Sequence, residues 1–136
     1  MRSFALIFLI GGITLTGCIP NESAISANAQ RGKKLFQKQC ATCHSMGEST
    51  YDKRGPDLAN LFGRKTGSNT DYQHYSPALR DLSLGWTPQL LEDYLNHPSA
   101  FLRKHLNDQS AQSRMNVRVK TDQDRKDITA FLKEVL

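Results

Sequence analysis

Apolar positions along the chain fall into two regimes. From Phe4 to Leu15 they are nearly continuous, broken only by Gly11, Gly12 and Thr14. From Gln30 onward they are sparse and spaced for helices. Gln30 to Gln39 predicts a helix with Gly32 and Phe36 one turn apart on one face. Gly55 to Thr70 reads as loop, with Pro56 breaking any regular structure. Ser76-Pro77 supplies a cap and a first helical position for a short helix ending near Asp81. Thr87-Pro88 repeats that signal before a helix whose apolar face is Leu91, Tyr94 and Leu95, and which stops before Pro98. Thr121 caps a last helix, with Asp122 and Asp124 in its first turn where the helix dipole favours anions. Its apolar stripe is Ile128, Phe131, Leu132 and Val135. No alternating strand pattern is present, so the expected class is all-α.

The first regime has a different purpose. Arg2 precedes the apolar run, which is too short to span a bilayer, so the segment predicts an export signal. It ends in Leu15-Thr16-Gly17-Cys18, which resembles the lipobox of bacterial lipoproteins. Cys18 is then the lipidated N-terminus, held to a membrane by more than one acyl chain. Asn21 to Gln30 is polar, small and aperiodic, as a tether is. The expected division is therefore a signal peptide at 1–17, a lipidated N-terminus and tether at 18–29, and one domain at 30–136. Ala27-Asn28-Ala29 is an alternative cleavage site that would leave a soluble periplasmic protein, and an uncleaved anchor is a third possibility. All three put the domain outside the cytoplasm, on the periplasmic side.

The formal net charge is +5, from 18 Lys and Arg against 13 Asp and Glu. No groove-binding motif accompanies it, so nucleic acid is not expected as a partner. An acidic protein face would be attracted, mainly through the association rate; a merely solvated basic surface is the equal alternative.

The chemistry is concentrated in Cys40-Ala41-Thr42-Cys43-His44. C-x-x-C-H is the attachment signature of a c-type haem. Two thiols about one helical turn apart reach the two vinyl groups of one porphyrin, and His44 is held beneath the ring with its imidazole toward iron. A zinc site would need a second ligand pair, and a thioredoxin-like pair would need a βαβ context; neither is present. One motif implies one covalent haem c. The third cysteine is Cys18, so none remains for a disulfide, although export would permit one.

Around this motif the chain resembles the class I c-type cytochromes, close to the soluble mitochondrial and bacterial forms. The resemblance is carried by Gly32 and Phe36 before Cys40, by Gly55-Pro56-Asp57-Leu58, and by Leu61-Phe62-Gly63-Arg64-Lys65-Thr66-Gly67. Tyr75-Ser76-Pro77-Ala78-Leu79, Gly85-Trp86, Tyr94-Leu95, Pro98 and the terminal Asp127, Ile128, Ala130, Phe131 and Leu132 follow in the family's order. It implies the cytochrome c fold, with helices and loops wrapped around the haem, and a monomeric one-electron carrier with redox protein partners. It further implies that the Pro56 carbonyl orients His44, and that Arg64, Tyr75 and Trp86 bind a propionate. Gly32 and Phe36 would cross Ile128 and Phe131.

One departure stands out. Where the family has a short Pro-Gly-Thr-Lys-Met approach, this chain runs from Arg103 to Arg114 before Met115, with Ser113 in the threonine's place. Met46 follows His44 too closely to reach over the ring; the resemblance implies Met115 as the sixth ligand, with His105, within the enlarged loop, as its rival. With both axial positions filled, the expected function is electron transfer in an extracytoplasmic respiratory chain. A five-coordinate iron would instead suit ligand binding or peroxide reduction, and a permanently docked oxidase or reductase subunit is a third reading.

Overall fold

The computed structural model describes residues 26–47 and 53–136. The expected signal segment 1–17, Cys18 and the tether as far as residue 25 lie outside the described residues. Five helices follow in order: α1 (Ala27–Gln39), α2 (Pro77–Leu82), α3 (Pro88–Asn96), α4 (Pro98–Leu106) and α5 (Asp122–Val135). Among the described residues there is no strand, only an isolated antiparallel bridge between Lys65 and Gly85. The fold is all-α.

Three helices start where their caps predict. The hydroxyls of Ser76, Thr87 and Thr121 accept from the N–H groups of Leu79, Leu90 and Asp124, at 3.3, 3.2 and 3.2 Å. Each satisfies a donor that the first helical turn leaves without an intrahelical partner.

The scaffold is the crossing of α1 and α5. A Cβ on Gly32 would lie 1.9 Å from the Asp127 carbonyl oxygen and 2.9 Å from Phe131 Cβ, so only glycine permits this approach. Phe36 packs against Phe131 with ring centroids 5.6 Å apart and the rings tilted by 54°, and Ile128 is buried in the same core. The buried Asp127 carboxylate accepts from Arg31 Nε at 2.8 Å, Arg31 Nη2 at 3.1 Å and Gln123 Nε2 at 2.9 Å. The Arg31 hydrogen bonds hold Asp127 below the usual carboxylate range, against the opposing effect of burial.

Two boundaries differ from the sequence expectation. Helix α1 begins at Ala27 rather than Gln30. Ser26 Oγ accepts from Ala29 N–H at 3.2 Å, while Ser26 donates through N–H and Oγ to the Glu134 carboxylate at 3.1 and 2.6 Å. Ala29 is 0% exposed. Residues 26–29, expected to be tether, are therefore part of the folded crossing; their partner lies 108 positions away, beyond any local pattern.

The second difference is α4. Helix α3 stops before Pro98 as expected, but Pro98 also opens a further helix as its first-turn proline, the position where its missing N–H costs nothing. His97 caps the helix with an imidazole, Nδ1 accepting from Ala100 N–H at 3.2 Å. Burial of Phe101 and Leu102 fixes the helix in place. The enlarged loop thus begins as helix through Leu106 and turns at Asn107, whose φ of 51° is left-handed. The Asp108 carboxylate then accepts from Ser110 N–H and Oγ at 2.8 and 2.7 Å.

Candidate functional site

The C-terminal end of α1 delivers the cysteine motif into a cavity. Cys40 N–H donates to Phe36 O at 2.8 Å, and the N–H groups of Cys43 and His44 both donate to Cys40 O at 2.9 Å. This turn brings Cys40, Cys43 and His44 to the lining of one cavity of about 360 Å³. Burial, followed by the neighbouring Cys43, raises the Cys40 thiol to about 11, so it stays protonated at neutral pH.

His44 is fixed by its surroundings. Its Nδ1 lies 2.8 Å from Pro56 O. A carbonyl only accepts, so Nδ1 carries the proton and Nε2 keeps its lone pair. Burial is the largest influence on the ring and lowers its pKa, favouring the neutral, ligating form. Gly55 lies flat against the imidazole: a Cβ there would be 2.4 Å from His44 Cε1.

The loop bearing Gly55 and Pro56 is stitched to the motif. Gly55 N–H donates to Cys43 O, Leu58 N–H to Ser45 O, and Lys53 Nζ to Ala41 O, each at 2.8 Å. Asp57 organises this contact. Its carboxylate accepts from Ser45 Oγ at 2.5 Å, Gly47 N–H at 2.9 Å and Ala59 N–H at 2.7 Å. Burial pushes that carboxyl upward, but the three hydrogen bonds, aided by Arg64, hold it below its ordinary value.

Met115 lines the same cavity. Its N–H donates to Ser113 Oγ at 3.0 Å, and Ser113 Oγ also meets Tyr94 Oη at 2.6 Å. Burial raises the Tyr94 phenol to about 12 despite the Ser113 contact, so it remains neutral. Ser113 N–H donates to Ser99 Oγ at 3.0 Å, and Arg114 Nη1 donates to His74 O at 3.1 Å.

Arg64, Tyr75 and Trp86 also line the cavity. Two of the Arg64 nitrogens are already committed: Nη1 donates to Ala59 O and Nη2 to Asp57 O, both at 2.9 Å. Burial raises the Tyr75 phenol above its ordinary value, against the lowering influence of Arg64 and the Asn69 backbone, and Trp86 packs edge-on against Tyr94 at 5.2 Å. Ser113 lines the cavity too, with its hydroxyl engaged by Tyr94 and Met115. The rival ligand His105 is not brought in. It is exposed on α4, its ring 4.2 Å from that of Phe101, and is not among the residues lining the cavity. Met46 is 38% exposed and outside the lining as well.

Sequence reasoning overlooked Asp57, Ser99 and the polar role of Tyr94. A tyrosine on an apolar helix face was the available signal, since a buried phenol needs a partner. Nothing in the sequence pointed to Ser99.

The donor set fits a haem attached through two thioethers: two thiols, an imidazole with a free Nε2 lone pair, and a thioether sulfur in one cavity. Comparison with known proteins agrees. The "Cytochrome c" family model matches residues 29–136. Cytochrome c of Gossypium barbadense is 32% identical over 113 residues, covering 83% of this chain and 95% of that one. Cytochrome c of Cannabis sativa is 31% identical over the same coverage. The solved cytochrome c2 from Rhodobacter sphaeroides superimposes with a TM-score of 0.72 at 26% identity, covering 79% of this chain and 94% of its own. That from Rhodospirillum centenum gives 0.70 at 30% identity, with 79% and 97% covered. The chain belongs to the cytochrome c family, as a class I member with one covalently bound haem c.

Proposed function

We propose that this monohaem electron carrier works in an extracytoplasmic respiratory chain, held to a membrane through an acylated Cys18, with His44 and Met115 as the residues that would hold the haem iron. The observation that carries the ligand assignment is the single cavity lined by both residues. When bound, the haem supplies a one-electron iron couple whose potential depends on its axial ligands and surroundings. The chain does the rest. Cys40 and Cys43 fix the group covalently, and Pro56 and Gly55 fix the imidazole that addresses iron. Ser113 and Tyr94 hold the backbone at Met115. If His44 and Met115 both held the iron, no position would be left for substrate, which favours electron transfer over ligand binding or peroxide reduction. Arg54, Lys65 and Arg114 are exposed and line the cavity, which supports docking to a redox partner with an acidic face.

The deciding experiment is optical. The ferric protein is expected to show the methionine–iron charge-transfer band, and the reduced protein to ignore carbon monoxide. Met115→Ala should remove the band, lower the potential and admit carbon monoxide. A wild-type protein that binds carbon monoxide readily would return the five-coordinate reading. Intact mass spectrometry tests the anchor: a diacylated or triacylated chain beginning at Cys18 is expected, and an unlipidated chain beginning at Gln30 would refute it.

A further inference from the structure

The enlarged segment Arg103 to Arg114 begins inside α4, and Asn107 to Arg114 separate that helix from Met115. A longer connection raises the entropy of the loop that must present the ligand. The structure contains a contact that bypasses the extra length. Ser99 stands in the first turn of α4, between the buried Pro98 and Ala100, whose N–H is capped by His97. Its hydroxyl oxygen accepts the Ser113 N–H at 3.0 Å, across 14 positions. From Ser113 two further bonds follow, Oγ to Tyr94 Oη and Oγ from Met115 N–H. Between the two serines, Phe101, Leu102 and Ala111 are buried, and only the turn from Asn107 to Ser110 is exposed throughout.

We infer that Ser99 is a positioning residue for the sixth ligand, clamping the Met115 strand of chain to α4 so that the enlarged segment lies outside the loop that sets the ligand. The inference deepens the proposed function and depends on Met115 being the ligand. The clamp's physical basis is short: a main-chain N–H fixed to a side chain on a rigid helical turn, two residues before the thioether. Ser99 itself is not among the cavity-lining residues, so any effect it has on iron passes through Ser113 and Met115.

The test compares wild type, Ser99→Ala and Ser99→Thr as haem-loaded protein. Two signals are followed in rising guanidinium: the methionine–ferric band and the far-ultraviolet helical signal. With one hydrogen bond removed, the methionine-released fraction should rise about fivefold. In Ser99→Ala the band should then vanish well before the helices unfold, carbon monoxide should bind the reduced protein faster, and the Ser113 amide should lose hydrogen-exchange protection. Ser99→Thr, which keeps the acceptor, should restore all three. If Ser99→Ala shifts both transitions together and leaves carbon monoxide binding unchanged, Ser99 is a general stabiliser and the clamp is overturned. A wild type lacking the band overturns Met115 ligation and the clamp with it; a wild type showing a band that Ser99→Ala does not loosen overturns the clamp alone.

Discussion

The two sides of the cavity are built from different distances along the chain. On the histidine side, the motif and the loop that orients it are separated by about a dozen residues. His44 meets Pro56, Ser45 meets Asp57, and Lys53 reaches Ala41, each 12 positions apart. On the methionine side, the contacts that hold Met115 span 14, 19 and 40 positions, from Ser99, Tyr94 and His74. Short connections make the first side cheap to close in entropy; the second must be assembled from three separate segments. The histidine side is therefore expected to be the more rigid of the two, and the methionine side the one that yields first.

Removing what both sides share should have the largest effect. Phe36 is 2% exposed in the α1–α5 crossing, and Phe36→Ala should cost about 3–5 kcal/mol. Thermal unfolding should show a large fall in midpoint with the haem absorbance of the folded protein intact. An unchanged midpoint would mean that the crossing supports neither side.

Next comes a change confined to the histidine side. Gly55→Ala drives a methyl group into the His44 ring, an overpacking worth about 1–3 kcal/mol. Its distinctive outcome is a displaced imidazole, read as an altered Soret band and altered histidine resonances while helix content is retained. Should the spectrum stay normal, the histidine side is more yielding than its short connections imply.

A smaller change on the methionine side sharpens the contrast. Tyr94→Phe removes the bond to Ser113, worth about 1 kcal/mol. Because that side is the looser one, this small loss should already weaken the methionine–ferric band, whereas global stability should hardly move. Equal falls in band and helix midpoints would show that the two sides open as one unit.

The smallest effect concerns acid. The folded pKa of Asp127 is depressed, chiefly by Arg31. Its contribution is therefore complete above the unfolded carboxylate value of about 3.9 and is lost as pH falls through the lower folded value. Asp127→Asn should flatten the acid limb of the stability curve without changing which side of the cavity opens first.

The same contrast explains what the sequence disclosed. The histidine side was readable because its ligand, its thiols and its orienting proline are close together, and their chemistry needs that spacing. Helices α2, α3 and α5 were readable because Ser76, Thr87 and Thr121 announce themselves locally. Helix α4 was not, since Pro98 ends one pattern and begins another, and its cap is a histidine. Met115 could be placed only by family resemblance; the residues that hold it are polar groups whose partners come from other segments. His105 illustrates the cost of that gap. In sequence it sits near Met115, but one added helical turn carries it onto the exposed face of α4.

Ala29 has a consequence for the order of events in the life of the protein. In the finished fold it is sealed in the first turn of α1, with Ser26 behind it tied to Glu134. A peptidase binds its substrate as an extended strand, and no such strand is on offer once α1 has docked. Cutting after Ala29 would have to win a race against folding, and the winner would leave a helix without its cap. The cut proposed before Cys18 would leave the whole α1–α5 crossing, with its Ser26 cap, intact.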